Sequence, residues 1–346
     1  MLQALPKVEL HRHLDGSVRI QTIWDIASEA GLDVGARTLE ELRRAAVIRE
    51  PVHDLGQALA RFETQRKVLH SFDAISRVTR ENVEDAFRDG VRVLELRFAP
   101  AFIADGTALS NDQIIGGVLD GMLKGMAEFP VEVGLIGILP RGCPVPVNAR
   151  ALDDLLRWRK GGAPGADRIC GLDLAAMEAG IDPLPFVPLV RRARDAGLGI
   201  TIHSGEDTDA AHVARTLDLF KPTRIGHGIR SWGNTEVMRR LKEEDVLLEV
   251  CPTSNWLTSA VPSLAAHPLP GLYRAGVPVS INSDDPNLMG INLVNEYEVC
   301  ADLYGFTEKD FAAITKAAWE HSFLHRVPGF SGRTPPWLHL QEDLSH

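Results

Sequence analysis

The chain has 346 residues, 45% of them hydrophobic and 24% charged, with a formal net charge of −10. This is the composition of a globular protein with a large core, and the negative balance excludes a nucleic-acid or anionic-membrane surface as its main partner. Cys143, Cys170, Cys251 and Cys300 form no C-x-x-C pair, there is no signal-peptide core in MLQALPKVEL, and no 18-residue apolar run occurs. Those features point to a cytoplasmic protein with reduced thiols and no membrane span. The length suits one barrel-sized domain over residues 1–346. The oligomeric state is not legible in these features.

In chain order, β-branched apolar runs occur at 7–13, 91–98, 131–139, 168–175, 198–205, 223–228, 246–252 and 277–285. Most are apolar on both sides of the alternation, as expected for parallel strands covered on both faces. FRDGVRVLELRF, ARDAGLGITIHSG and LYRAGVPVSINSD each read as a helix end, a glycine and a strand. Eight strands alternating with helices predict a (β/α)8 TIM-type barrel, with an open doubly wound sheet as the alternative. Residues 14–90 exceed one crossover and predict extra helices inserted after strand one. There Leu55, Leu59 and Phe62 recur at helical spacing, as core packing or as a cap over the barrel mouth. KGGAPGAD (160–167) lacks G-K-[ST] and reads as a plain loop, and residues 325–346 read as a turn-rich tail lying over the barrel.

VELHRHLDGS places His11 and His13 two apart at the end of strand one, facing the same way. His203 closes strand five in ITIHSGE, His227 closes strand six in RIGHG, and Asp284 and Asp285 close strand eight in SINSDDP. Taken singly, each histidine reads as a satisfied polar residue, Glu206 as a helix N-terminal carboxylate, and Asp284-Asp285-Pro286 as a turn. Taken together, four strand ends on the face where barrels carry their active sites predict a metal site with an open position for water. Nitrogen and oxygen donors without cysteine point to metal-activated hydrolysis rather than a structural zinc.

The set ELHRHLDGS, HSGE, RIGHG, EVCPTSN and INSDDP, in this order from residue 5 to about residue 325, resembles the adenosine deaminase family, metal-dependent hydrolases of the amidohydrolase superfamily. The resemblance implies one Zn2+ per chain held by His11, His13, His203 and Asp284, and hydrolysis of adenosine or 2′-deoxyadenosine to inosine and ammonia by water attacking purine C6. It implies that Glu206 protonates N1, that His227 orients and helps deprotonate the water, and that Asp285 meets N7. It places Asp15 at the ribose 5′-hydroxyl, and His13, Ala176, Leu55, Leu59 and Phe62 around the substrate. The implied partner is a small purine nucleoside.

Two positions depart from the family pattern. Ala176 in GLDLAAME stands where glycine is usual, and Ala58 in DLGQALARF stands where animal relatives carry a bulky aromatic. Deaminases of free adenine, which tend to read H-x-H-I-E-G, and of aminodeoxyfutalosine, with H-x-H-F-T-G, remain alternatives with the same chemistry, while HRHLDG carries the aspartate associated with nucleosides. The H-x-E and P-C-x-x-C pattern of cytidine-type zinc deaminases is absent. No lysine accompanies Asp173 in strand four, which favours a single metal over a lysine-bridged pair.

Overall fold

A computed structural model describes residues 2–330, 335, 337 and 338. Eight parallel strands follow one another around a single sheet. They are β1 (Lys7–His13), β2 (Val91–Phe98), β3 (Glu132–Pro140), β4 (Ile169–Ala175), β5 (Gly199–Ser204), β6 (Arg224–His227), β7 (Leu247–Val250) and β8 (Val279–Ile281). From β2 to β8 nearly every strand residue is buried, so the apolar runs are walls covered on both sides.

The sheet closes between β8 and β1, which excludes the open doubly wound alternative. Arg12 bridges Asp284, the Asp284 N–H donates to the His11 carbonyl at 3.0 Å, and the His13 N–H donates to the Asp284 carbonyl at 2.8 Å. Strand eight is shorter than the expected 277–285. After Ile281 the Asn282 side-chain oxygen accepts the Leu10 N–H at 2.9 Å, and Asp284 turns to a φ of 61°.

The interior is built in layers. At the N-terminal end Val8, Leu10, Val93, Ile136 and Leu247 pack with Phe323, Leu324 and Val327. The tail predicted over 325–346 therefore begins as a plug under the barrel floor, and its remaining residues other than 335, 337 and 338 lie outside the described ones. Above Phe323 the Arg224 guanidinium stacks at 3.5 Å from the ring centroid. It begins a fully buried ionic layer. Arg224 bonds Glu249 (2.6 Å) and Glu95 (2.7 Å), and Arg97 bonds Asp173 (2.7 Å) and Glu249 (2.7 Å).

The segment between β1 and β2 holds five helices: α1 (Ile20–Ala30), α2 (Leu39–Ala46), α3 (Leu55–Ala60), α4 (Phe62–Val68) and α5 (Phe72–Arg88). Thr38, Asp54 and Ser71 cap α2, α3 and α5 by accepting the backbone N–H three residues on. α5 packs on β2 and on the helix Asn111–Glu128, so it is the crossover helix of the outer ring. Only α3 and the start of α4 bring Leu55, Leu59 and Phe62 to the C-terminal mouth of the barrel. Among the described residues no helix is long and apolar enough to cross a membrane.

Candidate active site

β1 does not alternate evenly. Val8 and Leu10 join the barrel floor, whereas His11 and His13, of opposite parity, enter the mouth. The register shift between Glu9 and Arg12 is where the strand changes face. His11 is fully buried, and its Nδ1 lies 2.8 Å from Glu249 Oε2. His203 on β5 has Nδ1 2.9 Å from Asp173 Oδ2. With a proton held at Nδ1 by each carboxylate, both rings present an Nε2 lone pair to the mouth, the arrangement that orients imidazole ligands.

Asp284 completes the cluster. Its Oδ1 lies 3.1 Å from His11 Nε2 and 3.3 Å from His13 Nε2, and its Oδ2 accepts from Ser254 Oγ at 2.7 Å. Donor atoms of His11, His203, His227 and Asp284 lie within 4.8 Å of one another, and His13 Nε2 is 3.3 Å from His11 Nε2. Five nitrogen or oxygen donors thus converge where a mononuclear site needs four and a water. This buried three-histidine, one-carboxylate chemistry fits a divalent transition metal. Gly226 on β6 leaves the room, since a Cβ there would stand 3.0 Å from His11 and 3.1 Å from His203. Ala176, His227 and Asp284 all adopt left-handed φ (68°, 60° and 61°) at this mouth. Strain of that kind, on the order of 1–3 kcal/mol per residue, collects where surrounding contacts dictate an exact side-chain direction.

Beside the cluster, Glu206 accepts from Thr258 Oγ1 at 3.0 Å and lies 3.4 Å from His227 Nε2. Burial, reinforced by the carboxylates of Asp284 and Glu178, pushes it up to about 8. Glu178 also accepts the backbone N–H groups of Gly205 (2.6 Å) and Glu206 (3.0 Å), which pins the turn carrying the acid. Burial pulls the His203 imidazole down to about 3 despite Asp173, keeping it neutral. Asp15 and Asp285 are buried, and each has an Oδ1 without a hydrogen-bond partner among the described residues. A Cβ on Gly16 would stand 1.7 Å from Asp285 Oδ1, so only glycine admits that carboxylate.

His13, His203, His227, Asp284, Glu206, Asp15 and Asp285 open onto one cavity of about 310 Å³. Leu55, Ala58, Leu59 and Phe62, together with Phe102 and Met289, give it an apolar wall, and Ala176 lines it as well. The structure thus brings together every site residue expected from the sequence: His13, His203, His227, Asp284, Asp285, Asp15, Glu206, Ala176 and the three lid residues line the cavity, with His11 directly beneath. Sequence reasoning missed Thr258 and Ser254, although both stand in or beside the EVCPTSN motif. It also missed Glu178, the last residue of the GLDLAAME stretch, and Phe102, which no local pattern marks.

Comparison with known proteins agrees with this geometry. The family model for adenosine deaminase matches residues 6–327. An adenosine deaminase of Yersinia pseudotuberculosis serotype IB is 38% identical over 320 residues, 92% of this chain and 94% of its own. Among solved structures, an adenine deaminase from Arthrobacter aurescens superposes with a TM-score of 0.87 at 29% identity, covering 99% of both chains. A zinc-bound amidohydrolase from Burkhoderia ambifaria gives 0.86 at 25% identity, covering 99% of this chain and 92% of its own. A barrel with a buried histidine–aspartate cluster at its mouth, matched along nearly its whole length, belongs to the adenosine deaminase family of hydrolytic deaminases.

Proposed function

We propose that the chain deaminates adenosine, and 2′-deoxyadenosine, to inosine and ammonia, with one zinc per chain held by His11, His13, His203 and Asp284. The observation that carries this reading is a single cavity holding the His/Asp cluster, a Glu206 that is protonated at neutral pH, and two buried aspartates with unpaired oxygens. When bound, zinc supplies a water that ionises near neutral pH. His227 orients that attacking oxygen toward purine C6. Attack shifts electron density onto N1, and the Glu206 proton goes there, an interaction stronger in the transition state than with bound substrate. The proton of the added hydroxyl passes to the amino group, so ammonia leaves as the C6 carbonyl of inosine forms, and the proton released when the water ionised restores Glu206. Asp285, whose carboxyl is held well above the usual carboxylate range by burial and the neighbouring Asp284, donates its proton to N7, and Asp15 accepts the hydrogen bond of the ribose 5′-hydroxyl.

The cavity's chemistry also ranks substrates. Four carboxyl groups, those of Asp15, Glu206, Asp284 and Asp285, line it and, among the described residues, no lysine or arginine does, so a 5′-phosphate finds no cationic partner there. Four free cysteines support a cytoplasmic setting. Side-by-side ammonia release from adenosine, adenine, AMP and a bulky 5′-substituted adenosine tests the reading. Adenosine should lead adenine by about 10⁴-fold in kcat/KM, because a site built around a hydroxyl is left with an unpaired group when the hydroxyl is missing. Asp15→Ala should cost adenosine about 1.5–3 kcal/mol and adenine little. Equal rates on adenine and adenosine refute the role of Asp15, and faster turnover of the 5′ derivative replaces adenosine with a modified nucleoside.

A further inference from the structure

Which of the five converging donors is not a ligand is decided by a hydrogen-bond chain that starts outside the cavity. The backbone N–H of Leu269 donates to His267 Nδ1 at 3.0 Å. A main-chain N–H cannot accept, so Nδ1 carries the lone pair and the ring's proton is on Nε2. His267 Nε2 lies 3.2 Å from Asn255 Oδ1, which must therefore accept. That fixes the orientation of the amide, and Asn255 Nδ2 donates to His227 Nδ1 at 3.1 Å. His227 Nδ1 in turn is an acceptor, and its single proton sits on Nε2. This Nε2–H points at Glu206 Oε2 (3.4 Å) and Asp284 Oδ2 (3.9 Å).

We infer that His267 and Asn255 are positioning residues whose relay from the Leu269 N–H locks His227 as its Nε2–H tautomer, a donor to the attacking oxygen that has no lone pair for the metal. The inference rests on the deaminase reading above and deepens it. His11 and His203 are set the opposite way, each with its Nδ1 facing a carboxylate and its Nε2 free to coordinate. The same residue type is thus divided into ligands and a donor by what lies behind each ring, a carboxylate for the ligands and a carboxamide for the donor. All three relay side chains are buried, at 1% (His227), 0% (Asn255) and 3% (His267) exposure, so water does not compete for these bonds.

Histidine 15N spectroscopy of the metal-loaded protein tests the tautomer without reference to any substrate. His227 Nδ1 should appear unprotonated and Nε2 protonated, and a protonated Nδ1 overturns the inference. His267→Leu removes the donor to Asn255 and frees the amide to turn, whereas His267→Gln keeps an N–H at the same place. We expect His267→Leu to lower kcat on the order of 10- to 100-fold with KM and metal content little changed. His267→Gln should recover most of that loss, together with the wild-type His227 spectrum. Equal losses in the two variants with an unaltered His227 spectrum mean that His267 serves packing alone, and refute the relay. A wild-type spectrum of the expected kind in a protein inactive on adenosine would instead isolate the fault in the substrate assignment.

Discussion

Glu206 holds its proton because its carboxyl is enclosed and lies near the carboxylates of Asp284, Glu178 and Asp207, all of which disfavour a further negative charge. His227 and Thr258 are the groups that face it directly. Since the protonated form is the acid that the reaction uses, kcat should be steady below about 8 and fall as pH rises through that value. A pH–rate profile checks this, and a flat profile to pH 10 contradicts the assignment. Glu206→Gln should keep fold and metal but lower kcat about 10²–10⁴-fold and remove that alkaline limb. If the variant keeps most of its turnover, the acid lies elsewhere. A protonated Glu206 and the Nε2–H of His227 are the two donors beside the cluster, and neither is evident from residue type alone.

Among the elements, β6 is short and carries Gly226 between Ile225 and His227. A methyl group there would press on His11 Cε1 and His203 Nδ1 at about 3 Å. Both neighbours are rings held from behind by Glu249 and Asp173, so neither can yield cheaply. Gly226→Ala should therefore leave the barrel folded but weaken metal binding about 10- to 100-fold, the usual effect of disturbing the groups that orient ligands. Chelator competition with circular dichroism as a control measures it, and unchanged affinity would show that the rings can shift. The inserted segment divides similarly by packing. α5 belongs to the outer ring, while α3 and the first turn of α4 present apolar side chains to the cavity. The helical spacing of Leu55, Leu59 and Phe62 fits core packing and mouth covering equally well, and only the neighbours tell the two apart.

At the scale of the whole molecule, the catalytic mouth rests on a layer of buried ion pairs that links four strands. Arg97 on β2 joins Asp173 on β4 to Glu249 on β7, and Arg224 on β6 joins Glu249 to Glu95. Removing one partner strands charges in a dry interior, so Arg97→Met should cost about 3–5 kcal/mol of stability. Asp173 and Glu249 are the carboxylates behind His203 and His11, so the same change should also lower metal affinity. Thermal unfolding with and without metal separates the two effects. A variant as stable as the wild type would show the layer to be replaceable by apolar packing.

The (β/α)8 order and the residues that gather at the mouth were legible in the sequence, because parallel strands leave continuous apolar runs and barrels place chemistry at strand C-termini. The motifs HRH, HSGE, GHG and SDD each close a strand run, so the candidate site could be assembled without coordinates. Four features depended on tertiary structure. The change of face within β1 comes from a register shift against β2, and the early end of β8 from Asn282 replacing a ladder bond. The division of the histidines into ligands and donor comes from Glu249, Asp173 and Asn255, partners 238, 30 and 28 residues away in the chain. The pinning of the Glu206 turn comes from Glu178 on another strand's loop. A periodic pattern reports which face a residue occupies. A proton's position and a ring's tautomer are set by what stands behind the side chain, and closure of the barrel alone brings those groups together.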